Sequence, residues 1–226
     1  PSNIFGPNRR NSVGVDLTDP NVREPLLDRL RKLEARQWSA APNGATGQAL
    51  PVTSPHDRRI QVGTVIEATP EDVDRMVRTA HAAQQAWDAR GGEERARLLD
   101  RAADLFEANQ EAFFSLCIRE GGKTLPDAIL EVREAVDFLR FYATEARRQF
   151  IAPLHLPGPT GEHNELRLHG RGAFVCISPW NFPLAIFIGP VAAALAAGNT
   201  AIAKPAEQTP LIGAFAIELM HQAGVP

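Results

Sequence analysis

Residues 177–210, ISPWNFPLAIFIGPVAAALAAGNTAIAKPAEQTP, constrain the fold more than any other stretch of the chain. An apolar, β-branched run closes at Val175-Cys176-Ile177 and is broken by Ser178-Pro179, which reads as the end of a strand. Residues 182–197 carry no charge, and Gly198-Asn199 follow them as a helix stop. Thr200-Ala201-Ile202-Ala203 is apolar again, too short for a helix, and ends at Lys204-Pro205. Strand, helix and strand in this order make a βαβ unit, which demands parallel strands and a right-handed crossover. Open sheets of such units take ligands beyond the carboxyl ends of their strands. Both polar clusters, residues 178–181 and 204–209, fall at that end.

A chain of 226 residues, 44% apolar, is long enough for one large domain or two small ones with a real core. Its net charge of −3 gives no electrostatic reason to expect nucleic acid or anionic lipid as a partner. Of 24 basic residues only Lys32, Lys123 and Lys204 are lysines, so a lysine closing an apolar strand stands out. Cys117 and Cys176 are too few for a disulfide framework, and both lie in apolar runs where buried thiols are expected. The uncharged run 182–197 is shorter than the ~18–20 residues a membrane span needs and holds Pro183, Gly189 and Pro190. It reads as a helix beneath a sheet, and no transmembrane span is expected. No secretory signal is present, and the start at Pro1 rather than Met suggests excision from a longer protein or processing.

Residues 1–19 are turn-rich and read as a connecting segment. Asp19-Pro20 caps a short helix expected over 25–37, striped by Leu26, Leu27, Leu30 and Leu33. A small-residue loop covers 41–47, and short strands between 49 and 66 are divided at Ser54-Pro55-His56-Asp57. Thr69-Pro70-Glu71-Asp72 is a helix start, followed by Val73, Met76, Val77, Ala80, Ala83 and Trp87 at helical spacing. After Gly91-Gly92 a second helix carries Ala96, Leu99, Ala103 and Phe106; a third, 113–120, stops at Gly121-Gly122. The fourth runs over 126–150 with Ile129, Val132, Val136, Leu139 and Ala143 on its stripe. These helices read as a packing layer without chemistry. Residues 154–171 begin with prolines and glycines, and 162–169 alternate polar and apolar, as in a half-exposed strand pair.

Gly170-Arg171-Gly172 precedes a strand, whereas a dinucleotide fingerprint lies between strand and helix, so these glycines read as a hairpin end. Asn181, framed by Trp180, Phe182 and Pro183, is an amide that is costly to bury unless hydrogen-bonded; the alternative is a helix N-cap. Lys204 and Glu207 offer a donor and an acceptor suited to ribose hydroxyls, or else form an ion pair with Glu207 capping the next helix. Glu134 on the fourth helix reads from the residues alone as a solvated carboxylate. His163-Asn164-Glu165 lacks HExxH spacing and the other histidines are scattered, so no metal site is read, and there is no P-loop.

SPWNFP, GNT and KPAEQTP together resemble the aldehyde dehydrogenase superfamily at the start of its nicotinamide-binding domain. The resemblance covers residues 50–226 and implies an α/β fold. A helical layer with short strands leads into the first βαβ unit of a doubly wound, Rossmann-like NAD-binding domain, with an oligomerisation-type β-hairpin. The corresponding division is 1–48 connecting segment, 49–150 helical part of the NAD-binding domain, 151–172 hairpin, and 173–226 the start of the βαβ sheet. By resemblance, Asn181 donates to the oxyanion formed when a thiolate attacks an aldehyde. Lys204 and Glu207 hold the adenosine ribose, favouring NAD over NADP. Ile177, Ser178, Pro179 and Trp180 floor the cofactor, although Trp180 is equally readable as core. Phe182 walls the aldehyde channel, Glu134 lines it, and the 154–171 hairpin joins subunits of a homo-oligomer or stays unpartnered.

Ile4-Phe5-Gly6, Asn11-Ser12, Gly14-Val15-Asp16-Leu17, REGGKT and EAVDFLRFY are similar to the Δ1-pyrroline-5-carboxylate dehydrogenase branch, in particular the bifunctional bacterial proline-utilization proteins. That resemblance implies NAD-dependent oxidation of L-glutamate γ-semialdehyde to glutamate in the cytoplasm, with peripheral membrane association of a bifunctional parent. FAD belongs only to a proline dehydrogenase module of such a parent. The family's GxTxxG loop, general-base glutamate and nucleophilic cysteine follow the point where this sequence stops, so the 226 residues are expected to be inactive alone. The competing readings are a non-catalytic nucleotide-binding or assembly module and a purely helical scaffold.

Overall fold

The computed structural model describes residues 4–45 and 47–226. Its spine is α5 (Leu125–Phe150), capped by Thr124, whose hydroxyl accepts from the Asp127 N–H. The expected stripe of α5 is buried, and it packs on the buried Ala96, Leu99, Ala103 and Phe106 side of α3 (Gly91–Ala108). On its other flank lies α6 (Ala185–Ala196), apolar all round and buried along most of its length, as an uncharged helix must be. Gly189 lets α6 approach the Phe138 ring, 3.4 Å from where a Cβ would stand. The helix is shorter than the uncharged run, because residues 178–184 form turns above the sheet.

α1 (Pro20–Leu33) begins at Pro20 rather than at residue 25, because the Asp19 carboxylate accepts from the Asn21 N–H at 2.9 Å and fixes the start there. Within α2 (Pro70–Asp88) the Thr69/Asp72 capping box forms as the sequence indicates. Val73 and Val77 nevertheless face solvent, and only Ala80 and Trp87 of that stripe are buried. The Trp87 indole N–H donates to the Leu195 carbonyl at 3.0 Å, which ties α2 to the end of α6. α4 (Gln110–Arg119) ends at Glu120 before Gly121-Gly122.

β1 (Trp38–Ala40), β2 (Ala49–Thr53) and β3 (Gln61–Ile66) form a sheet in the order β1-β3-β2, with β1 parallel and β2 antiparallel to β3. β1 has no counterpart in the sequence reading: three residues are too few to show a period. β4 (Leu154–Leu156) and β5 (Asn164–Leu166) make an antiparallel hairpin, so only the middle of the alternating stretch is paired. β6 (Ala173–Ile177) and β7 (Thr200–Lys204) are parallel and in register from Ala173↔Thr200 to Ile177↔Lys204, with α6 between them in sequence. Gly170 leads into β6 against Gly198, where a Cβ would fall 2.1 Å from the carbonyl oxygen. The Asn199 side chain accepts from the Arg171 and Gly172 N–H groups, so these residues form the lead into β6, past the paired part of the hairpin, which ends at Leu166. α7 (Pro210–Ala223) follows and stops at Gly224 with φ 105°. One continuous core runs from Leu26 to Val225. Among the described residues no helix is long and apolar enough to cross a membrane.

Candidate functional site

The parallel strands bring the two polar clusters together at their carboxyl ends. Ile177 stands opposite Lys204, and the Ser178 N–H donates to the Lys204 carbonyl at 3.2 Å. The Lys204 ammonium donates to Glu207 Oε1 at 2.5 Å, and both side chains are exposed. That hydrogen bond, with the lysine's charge, holds the Glu207 carboxyl below its usual range. Glu207 forms the ion pair but does not cap the following helix: Thr209 is the N-cap residue of α7, and its first free N–H groups are taken elsewhere.

They are taken by Glu120. Its two oxygens accept from the Leu211 and Ile212 N–H groups at 2.7 and 2.9 Å, from a side chain 4% exposed. Burial pushes this carboxyl up to about 8, against the opposing pull of the two N–H donors. α6 is held in the same way by a second buried carboxylate. Glu131 Oε2 accepts from the Leu184 and Ala185 N–H groups at 3.2 and 2.9 Å, while Oε1 accepts from Lys123 Nζ at 2.8 Å. Lys123 also lies 4.6 Å over the Phe182 ring. A loop bounded by these contacts carries residues 178–183, so the helical layer is not chemically silent, as its apolar stripes suggest. Glu131 and Glu120 supply the acceptors that the free N–H groups at the starts of α6 and α7 need.

Asn181 lies in that loop, ahead of the helix, and is exposed. It is not the N-cap of α6, whose start is served by Glu131, and among the described residues its amide has no hydrogen-bond partner. Trp180 at 56% and Ile177 at 69% exposure are surface groups too, which rules out Trp180 as core. Ser178 is buried, Pro179 half-buried and Phe182 exposed. Glu134 is exposed on α5, one turn beyond Glu131; partial burial, then the charge of Glu131, raises its carboxyl. Cys117 is fully buried, and burial followed by Glu131 pushes its thiol well up. Cys176 is buried in β6 and raised by the same desolvation. Neither is a ready thiolate.

The aldehyde dehydrogenase family profile matches residues 42–226. The bifunctional protein PutA of Escherichia coli (strain K12) is 43% identical over 230 residues, covering 100% of this chain and 16% of PutA. Among solved structures, proline utilization A from Bdellovibrio bacteriovorus superposes with a TM-score of 0.91 at 31% identity, covering 97% of this chain and 24% of that one. A 1-pyrroline-5-carboxylate dehydrogenase from Thermus with bound NAD superposes with a TM-score of 0.87 at 32% identity, covering 96% and 43% respectively. The chain therefore spans less than half the length of each of these relatives.

Proposed function

The chain belongs to the aldehyde dehydrogenase family, and from that premise we propose that it is the leading part of an NAD-dependent enzyme oxidising L-glutamate γ-semialdehyde to glutamate in proline catabolism. The observation that carries the reading is the meeting of Ser178, Lys204 and Glu207 at the carboxyl ends of two parallel strands, with Asn181 exposed in the loop that Ser178 begins. NAD is the hydride acceptor when bound. The fit is chemical: an exposed ammonium and an exposed carboxylate, paired among the described residues only with each other, can open to donate to and accept from a vicinal diol. The same edge, continued by further parallel strands, makes the doubly wound NAD-binding domain.

Within that reading Asn181 Nδ2 donates to the oxyanion that develops on the attacked aldehyde, and an exposed amide without a competing partner is ready to do so. Phe182 walls the aldehyde channel and Glu134 lines it. Ile177, Ser178, Pro179 and Trp180 form the cofactor floor, for which the exposed Ile177 and Trp180 supply apolar surface. The attacking thiolate comes from neither Cys117 nor Cys176, whose burial disfavours the charged form, so the 226 residues alone do not turn over. Leu154, Leu156 and Leu166 are exposed on the 154–171 hairpin and suit pairing with a second copy in a homo-oligomer. In this reading the enzyme works in the cytoplasm, and FAD belongs only to a proline dehydrogenase module of a bifunctional parent.

Kinetics of the enzyme that carries this segment test the assignment. Asn181→Ala lowers kcat about 10²–10³-fold with little change in the KM for NAD. Lys204→Met raises the KM for NAD and leaves kcat near that of the parent. The reverse pattern, with Lys204→Met acting on kcat alone or Asn181→Ala silent, overturns it.

A further inference from the structure

We propose that one face of the β4–β5 ribbon is a binding site for a divalent transition metal of the zinc class, held by His155, His163 and Glu165. Hairpin pairing assembles this set from two strands. His155 is the direct cross-strand partner of Glu165, and His163 precedes Glu165 by two residues, so all three project from the same face. The opposite face carries Leu154, Leu156 and Leu166. Linear spacing hides the cluster because it is read along one strand, where His163 and Glu165 alone make no motif.

The atoms are already near coordination distance. His163 Nε2 lies 2.9 Å and His155 Nδ1 3.8 Å from the same oxygen, Glu165 Oε1, and the three ligand atoms lie within 4.8 Å of one another. Ligands about 2.0–2.2 Å from a tetrahedral ion sit roughly 3.3–3.6 Å apart, so closing the set needs shifts of at most about 1.5 Å. Both imidazoles are solvent-exposed, and a metal with three protein ligands keeps an open position for water. Glu165 is also oriented from behind: Arg167 donates to its other oxygen, Oε2, from Nη2 at 2.8 Å and from Nε at 3.2 Å. This leaves Oε1 facing the two rings, in the manner of an outer partner that fixes a ligating carboxylate. Two imidazoles with one carboxylate suit zinc, copper or nickel and disfavour calcium or magnesium, which take oxygen ligands.

Zinc titration of the chain by calorimetry in competition with a chromophoric chelator decides the matter. The expected result is one Zn2+ per chain, with His155→Ala, His163→Ala and Glu165→Gln each weakening binding at least about tenfold. His81→Ala on α2 leaves it unchanged. All these positions are exposed, so the variants keep the fold, which far-UV circular dichroism verifies. Absence of binding, binding that survives in the His155→Ala/His163→Ala double variant, or an equal loss on His81→Ala overturns the proposal.

Discussion

Replacing Glu131 by glutamine tests whether a buried carboxylate, rather than the apolar stripes alone, holds the loop that carries Asn181. Glu131 is 2% exposed; Oε2 takes the Leu184 and Ala185 N–H groups and Oε1 takes the Lys123 ammonium. No orientation of an amide serves both sides. With its oxygen toward the helix, the NH2 meets the ammonium; with its oxygen toward Lys123, the NH2 meets two N–H donors. Removing one partner of a buried ion pair costs about 3–5 kcal/mol. Glu131→Ala costs more, since each orphaned N–H adds about 1–3 kcal/mol. A domain's whole stability is about 5–15 kcal/mol, so the glutamine variant is the readable one. Lys123→Met/Glu131→Gln recovers part of the loss, because the stranded charge has gone. Urea unfolding followed by circular dichroism measures this, with an unchanged m-value as the check on two-state behaviour. A Glu131→Gln midpoint equivalent to less than about 0.5 kcal/mol, or a double variant that merely sums the singles, refutes the reasoning.

Two further outcomes follow from burial. The Glu120 carboxyl is raised from 4.5 to about 8, so between those values the folded chain holds a proton that the unfolded chain releases. Its contribution to stability is complete below pH 4.5 and is lost as pH rises toward 8, at about 1.4 kcal/mol per pH unit within the window; unfolding free energies measured across it in Glu120→Gln lack this slope. Cys117 and Cys176 resist a thiol reagent at neutral pH until denaturant is added, because burial raises both thiols; stoichiometric labelling of the native chain within seconds contradicts this.

Strong local chemistry made much of the chain legible in advance. The β-branched run ending at Ile177, the uncharged run after it and the Gly198 stop specify β6, α6 and β7, and the Thr69/Asp72 capping box fixes α2. Long-range partners were less visible. Glu120 caps a helix 91 residues away and Glu131 one 53 residues away, a separation no local window spans. A signal did exist: α6 starts without a side-chain cap, and Glu131 interrupts the apolar stripe between Ile129 and Val132. Val73 and Val77 follow helical spacing yet face solvent, since periodicity marks a face without saying what covers it. Composition left Trp180 readable as cofactor floor or as core and Asn181 as pocket amide or N-cap; the loop between β6 and α6 leaves both side chains exposed.

Two-dimensional amide NMR of the isotopically labelled chain titrated with NAD+ tests the central claim most directly. The account predicts shift changes concentrated at residues 177–181 and 204–209, with the same pattern from AMP, because it assigns the adenosine ribose to Lys204 and Glu207. Perturbations elsewhere with these two segments unmoved, or an undiminished response in Lys204→Met/Glu207→Ala, contradict it.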